Sequence, residues 1–305
     1  MEADSGILAI CLNPVLQRTL VFDGVQRGRV NRTREYRVDA SGKGVNVARV
    51  LTQVGERVTH LTSLGGRYRE LFLELAERDG VLVDWVASRS EIRWCTTLVE
   101  REARSTTELV EEAAPVADGT EEQVRAAFER LLHRHHTITI SGTKAPGFSA
   151  ELYPDLVRIA RAAGKRVVID VAGGDLKSCL GAGPHVAKPN YDEFVATYLG
   201  EMADCESEAA IEGEVRQLLP RLSLDSGSVF VLTRGSKPAL VADGGVLWEQ
   251  APEVTEPLNT TGSGDAFTAG LAQALARRQP FRDAVAAGHR LGSANARTLR
   301  PGTVR

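Results

Sequence analysis

Aromatic side chains are scarce in this 305-residue chain, 5% of it, too few for a platform on which nucleic-acid bases could stack. A charge excess is missing as well. Against 37 Lys and Arg stand 40 Asp and Glu, which leaves no general basic surface for a polyanion. No apolar run approaches the roughly 18 residues of a membrane span. The acidic start Met1-Glu2-Ala3-Asp4-Ser5-Gly6 lacks the basic, then apolar, character of a secretory signal. Cysteine is sparse too: Cys11, Cys95, Cys179 and Cys205 are scattered, with no C-x-x-C pair. That pattern points away from zinc and disulfides and towards free thiols in a reducing cytoplasm. Together these absences predict a soluble cytoplasmic protein that partners neither nucleic acid nor membrane.

The tract His133-Arg134-His135-His136 closes a helix-period segment beginning near Thr120 and leads into the strand-like Thr137 to Ser141. Neighbouring helical positions do not share a face. The tract therefore reads as cations at a helix C-terminus, where the dipole suits them, rather than as a metal site.

Glycine is plentiful, with 29 residues against 12 prolines, and implies many tight turns and close backbone approaches. Short β-branched runs alternate with helix-period segments. Ile7 to Leu12, Arg57 to Ser63, Val81 to Val86, Thr137 to Ser141, Arg166 to Val171, Val186 to Lys188 and Ser228 to Thr233 read as strands. Val45 to Val54, Tyr68 to Arg78, Glu121 to His133, Ala150 to Ala163, Asp192 to Leu199 and Glu208 to Leu222 read as helices. A hairpin over Ala239 to Glu249 and helices from about Gly264 and Phe281 finish the chain. Such alternation predicts an α/β fold with a mostly parallel sheet covered on both faces. Two polar-interrupted regions, Thr19 to Val38 and Arg93 to Val110, break it. They fit either a small separate sheet standing over the main one or edge strands of the main sheet.

Three glycine clusters fall at strand-to-helix junctions: Ser41-Gly42-Lys43-Gly44-Val45-Asn46, Ser141-Gly142-Thr143-Lys144-Ala145-Pro146-Gly147, and Asn259-Thr260-Thr261-Gly262-Ser263-Gly264-Asp265. Ligands of doubly wound folds bind at such junctions, and the free N–H groups of a helix start favour anions. None is a standard nucleotide motif. The first lacks the Ser/Thr and earlier glycine of a P-loop, and the third has Phe267 where a dinucleotide fingerprint needs glycine. Plain helix-entry turns would explain any one of them, but not all three with Lys43, Asn46 and Asp265 alongside. Asp265, in a helix's first turn, is expected to stay ionised through the dipole, with Gly262, Ser263 and Gly264 presenting backbone donors. A base beside an anion hole fits phosphoryl transfer to an alcohol, and Lys43 would hold a substrate phosphate.

These motifs resemble the PfkB family of ribokinase-like carbohydrate kinases, in particular its 1-phosphofructokinase and tagatose-6-phosphate kinase group. The likeness runs from about Ile7 to Gly302 with the motifs in order. It includes Lys188-Pro189-Asn190-x-x-Glu193, similar to the family's internal Asn-x-x-Glu element. The resemblance implies a ribokinase-like three-layer sandwich in which 1–305 form one kinase domain with a small β-sheet lid, about 14–38 and 93–110. It also implies ATP and Mg2+ as cofactors, a phosphorylated ketose as acceptor, and a homodimer formed through the lid. On that basis Asp265 is the general base, with Gly262 to Gly264 as the anion hole. Gln17, Gly42, Lys43, Asn46, Arg93 and Ser141 face the sugar phosphate. Lys188, Asn190, Glu193, Thr233, Gly235 and Asn295 line the nucleotide, with Asn190 and Glu193 organising magnesium through water.

Four positions depart from the family pattern. Gln17 stands where an aspartate is usual, Lys144 replaces an aliphatic residue and adds a cation near the site, Ala172 replaces a small hydroxyl residue, and Ser41 replaces a glycine. Gln17 and Lys144 bear on which sugar is the acceptor. Three other readings remain open: a kinase of an unphosphorylated sugar or nucleoside, a catalytically silent phosphosugar-binding regulator, and a Rossmann dehydrogenase. Against the first, a neutral substrate would leave Lys43 and Arg93 without a partner.

Overall fold

The computed structural model describes residues 6–203, 206–253 and 256–305. Residues 1–5 and Cys205 lie outside the described residues, while Cys11, Cys95 and Cys179 are buried free thiols. The chain opens with β1 (Gly6–Ile10), β2 (Val15–Phe22), β3 (Tyr36–Ser41), α1 (Lys43–Gln53), β4 (Val58–Leu64) and α2 (Arg69–Arg78). Then come β5 (Leu82–Ala87), β6 (Arg93–Glu100), β7 (Ser105–Val110), α3 (Thr120–Leu132), β8 (His135–Ser141), α4 (Leu152–Ala162) and β9 (Arg166–Asp170). They are followed by α5 (Gly173–Leu180), β10 (Val186–Ala187), α6 (Tyr191–Tyr198), α7 (Gly200–Ala203) and α8 (Glu208–Ser226). The last third holds β11 (Val229–Arg234), β12 (Lys237–Asp243), β13 (Val246–Gln250), α9 (Ser263–Ala276) and α10 (Phe281–Ala296).

Nine strands form one sheet in the order β13-β12-β11-β10-β9-β8-β1-β4-β5, parallel except for β12 and β13. The β-branched runs become its strands because both faces are covered, so alternate residues enter two cores. Leu8 and Ile10 of β1 join the core packed by α3, α4, α5, α6 and α8, while Ile7 and Ala9 join the core under α1, α2 and α9. The pattern repeats in β11, where Phe230 and Leu232 face one way and Val231 the other. Helix, sheet and helix make the three layers. From β1 the chain builds outward through β4 and β5, then returns to β8 and builds the other way. The direction therefore switches between β1 and β8, which leaves a crevice at their C-terminal ends.

The two regions that break the alternation make a separate four-stranded sheet, β3-β2-β6-β7. Its register puts Gln17, Asp39, Thr97 and Glu108 on one face and Leu20, Tyr36, Leu98 and Leu109 on the other. β3 runs on to Ser41, so this lid strand feeds straight into the first glycine turn. Two boundaries differ from expectation. β8 begins at His135, whose ring nitrogens contact Leu131 O at 2.7 Å and Thr59 Oγ1 at 3.1 Å. That buried pairing draws the histidine into the sheet, so only His133 caps the helix. Helix α5 escaped the sequence reading because it opens on Gly173-Gly174. Thr197 Oγ1 accepts the Gly173 N–H at 2.8 Å, the cap that Ala172 cannot supply. No helix among the described residues is long and apolar enough to cross a membrane.

Candidate active site

The first and third glycine turns meet across the crevice. Gly42, at φ +111°, is the N-cap of α1, and Gly262, at φ +82°, is the N-cap of α9. Both are left-handed conformations that favour glycine. Any Cβ on Gly262 would run into the Gly302 N–H, and one on Gly302 into Asn46, so the C-terminal segment wedges between the two turns. Asn46 Nδ2 then donates to Asp265 Oδ2 at 2.8 Å, and both residues are buried. The second turn closes on the same place, where Gly142 N–H donates to Asp170 O at 2.8 Å.

A chain of charges runs from this contact across the strand ends. Lys43 Nζ lies 3.0 Å from both Asp170 Oδ1 and Glu193 Oε1, and Lys188 Nζ lies 3.0 Å from Asp170 Oδ2. Thr268 Oγ1 donates to Asp170 Oδ2 at 2.8 Å. Burial opposes the ionisation of Asp170, but Lys188 and Lys43 outweigh it and bring its pKa down to about 2. Burial likewise acts against Lys43, yet Asp170, Glu193 and Asp265 hold its ammonium above the usual value. Asp265 goes the other way. Burial pushes it up to about 7 with help from Asp170, against the pull of Lys43, Asn46 and Lys188. The expectation that Asp265 stays ionised is thus corrected: burial raises its carboxyl to about 7, near neutrality.

Asn190 caps α6 in a reciprocal box. Glu193 N–H donates to its Oδ1 at 2.8 Å, and its own N–H donates to Glu193 Oε2 at 2.9 Å. Thr233 bridges to Asn190 as a neighbouring strand position, and Gly235, at φ +59°, turns the chain just beyond it. On the lid, Gln17 Nε2 donates to Thr97 Oγ1. Glu108 Oε1 lies 3.5 Å from Thr97 Oγ1 and 3.4 Å from Thr261 Oγ1, and so links the lid to the third glycine turn. Arg93, at the start of β6, donates from Nη1 to Glu111 O at 3.1 Å, and its buried Nε has no hydrogen-bond partner among the described residues.

Residues 10–303 match the family described as pfkB family carbohydrate kinase. The chain belongs to the pfkB family. It is a sugar kinase, an enzyme that transfers a phosphoryl group to a hydroxyl. The fold is similar to a protein described as a possible 1-phosphofructokinase from Thermotoga maritima, with TM-score 0.86 and 22% identity over 96% of this chain and 92% of that one. It is also similar to Escherichia coli phosphofructokinase-2 in complex with fructose-6-phosphate, with TM-score 0.83 and 21% identity over 96% and 94%. A structure provisionally named a ribokinase, from Agrobacterium tumefaciens, matches at TM-score 0.76 and 15% identity over 98% and 93%.

Within this pfkB kinase several expected roles need correction. Lys43 is compensated by two carboxylates, so a neutral substrate would not leave it unpaired. Lys144 is no cation at the site: it pairs with Asp175 of α5 and lies 4.6 Å over the Tyr153 ring, with its side chain 8% exposed. Asn295 is fully buried beneath the third turn. It donates to Thr261 O at 2.9 Å and Ser263 Oγ at 3.1 Å and accepts from Thr303 N at 3.0 Å, which leaves it to brace that turn instead of meeting adenine. Ser141 is fully buried and does not face an open pocket, because it ends a central strand of a sheet covered on both faces. The Ser263 N–H is taken by Thr260 O at 3.1 Å, which removes one donor from the expected anion hole. Four further residues that the motifs did not flag contact the predicted ones or their glycine turns: Asp170, Thr268, Glu108 and Arg49. Asp170 had a signal, an acid ending an apolar strand run at the crevice edge. Glu108, exposed on a polar strand, had none.

Proposed function

We propose that this pfkB enzyme transfers the γ-phosphoryl group of ATP to a hydroxyl of a phosphorylated ketose, with Asp265 as the general base. The observation carrying the reading is the buried 2.8 Å contact of Asn46 Nδ2 with Asp265 Oδ2 at the start of α9. A carboxyl that titrates near 7 can take a proton from an alcohol at neutral pH and release it afterwards. Lys188, held beside Gly264, supplies positive charge where the transferred group would pass. Gly262 and Gly264 form the turn around it.

The oxygen donors Glu193 and Asn190 suit a hard divalent cation, and Mg2+, held by them through water, would take its remaining ligands from water and substrate phosphates. When bound, the ion would neutralise charge on the donor's phosphates. The acceptor's own phosphate falls to Arg93, whose unpartnered Nε and planar fork suit a phosphate's oxygens. A 1-phosphofructokinase-like or tagatose-6-phosphate kinase-like substrate is consistent with this. The compensated Lys43 favours the second reading, an unphosphorylated sugar, since Lys43 then needs no anion from the substrate. The lid's outer face, with Tyr36 66% and Leu109 56% exposed, suits a second copy of the chain, and the enzyme is proposed to work in the cytoplasm as a homodimer.

The test is a coupled assay with ATP across sugars and sugar phosphates, on wild type and Arg93→Ala. The expected result is the highest kcat/KM on a phosphorylated ketose, with Arg93→Ala raising its KM at least tenfold. A free sugar as the best substrate, unaffected by Arg93→Ala, would move the assignment to the second reading.

A further inference from the structure

The reaction outlined above makes no use of Arg49, an arginine with 0% exposure one turn beyond Asn46 on α1. Its Nη1 donates to Asn46 Oδ1 at 2.8 Å and to Pro301 O at 3.2 Å, its Nε to Asp79 Oδ2 at 2.7 Å, and its Nη2 to Ala40 O. A guanidinium has donors and no acceptor. The Asn46 atom facing it must therefore be the oxygen, and Ser41 Oγ adds a second donor to that oxygen at 3.3 Å. With Oδ1 held, the Asn46 NH2 group can face only Asp265, at 2.8 Å. Turned over, the amide would set its oxygen against a carboxylate and its NH2 against a guanidinium, two repulsive contacts in place of two attractive ones.

We propose that Arg49 is a positioning residue for phosphoryl transfer: it fixes the polarity of the Asn46 amide so that a donor always faces Asp265. The inference rests on the reading of Asp265 as the base. The donor favours the ionised carboxylate, and it is the contact that Arg49 controls. The other groups facing Asp265 are Lys43 on α1, Asp170 at the end of β9, Lys188 after β10 and the neutral Cys11 thiol after β1. Facing Arg49 are Asp79 after α2, Asp39 on β3 and Arg300 near the C-terminus. None of these can orient the Asn46 amide, because none contacts its oxygen.

The test is the pH dependence of kcat in Arg49→Met, Asn46→Leu and the double variant. Losing one hydrogen bond to a charged group should raise the acid limb by about one pH unit, so that kcat below the limb falls about tenfold. Acceptor KM should change less than about threefold in Arg49→Met. If Arg49 acts through Asn46, the double variant shifts no further than Asn46→Leu alone. A folded Arg49→Met with an unmoved limb, or shifts that add in the double variant, would overturn the proposal. Arg49→Gln, whose amide can offer an oxygen as readily as a donor, gives a second route should the methionine variant not fold, and it too should raise the limb. Asp79→Asn separates structure from positioning. It should lower the melting temperature and leave the limb in place, and an equal limb shift there would refute the amide mechanism. Asp265→Asn tells the two readings apart. Near-normal turnover would remove the base itself, whereas an inactive Asp265→Asn with an unmoved Arg49→Met limb would remove only the positioning role.

Discussion

Asp170 and Asp265 lie in the same crevice, both buried, yet one is held ionised down to about pH 2 and the other titrates near 7. Burial penalises both. The difference lies in the partners each strand end supplies. Asp170, closing β9, meets two ammonium groups and a hydroxyl. Asp265, in the first turn of α9, has one neutral amide as its hydrogen-bond donor; Lys43 and Lys188 act on it only from a distance, with Asp170's charge working against them. A carboxylate paired directly with two cations is an anchor, and one whose only direct partner is a neutral amide can exchange its proton. Two environments that push neighbouring acids apart in this way divide the work of a site between them.

The sharpest way to break the comparison is to neutralise each acid in turn. Asp265→Asn should reduce turnover by about 10²–10⁴-fold, the usual worth of a general base, measured at saturating ATP and acceptor. It should also stabilise the fold at alkaline pH. Asp265 binds its proton more tightly folded than unfolded, so its contribution to stability falls as pH rises from about 4 towards 7. The asparagine variant should then melt higher than wild type at pH 8, by up to roughly 4 kcal/mol of stability, and lose that advantage near pH 4. Equal pH dependence in both proteins would mean that Asp265 is not desolvated.

Asp170→Asn should do the opposite. It leaves the Lys43 and Lys188 ammonium groups facing one another across a neutral side chain, and breaking a buried pair this way costs about 3–5 kcal/mol. Because the folded pKa of Asp170 is depressed, its stabilising effect is present above about pH 4 and fades as pH falls towards 2. Denaturant midpoints of wild type and variant should therefore converge in acid. A loss below 1 kcal/mol at pH 7 would show that Asp170 anchors nothing.

Only one of these two acids was legible in the sequence. Asp265 follows Gly262-Ser263-Gly264, a pattern that a resemblance can find, and the lid emerged as a break in strand–helix alternation. Asp170 is set by tertiary geometry: α1 brings Lys43, the turn after β10 brings Lys188, and α9 brings Thr268 to one carboxylate from 98 or fewer residues downstream and 127 upstream. Spacing in a sequence cannot report such a meeting. The same limit explains why the sequence alone suggests a substrate phosphate for Lys43 and a ligand contact for Asn295. Each is polar beside a motif, and whether its partner is a substrate or the protein depends on what the fold lays next to it.

Lys144 gives the smallest effect and the cleanest separation of charge at the site from charge near it. It sits in the second glycine turn two residues after Gly142, yet its ammonium faces Asp175 and the Tyr153 ring. Lys144→Met keeps the apolar stem against Tyr153 and removes one largely buried ion pair, leaving Asp175, whose side chain is 22% exposed, in reach of water. The cost should be about 1 kcal/mol in denaturant unfolding, with acceptor KM and the ranking of sugars unchanged. A several-fold rise in KM confined to phosphorylated acceptors would instead place Lys144 in the binding site. The contrast between anchored and working charges would then have to be redrawn to include the second turn.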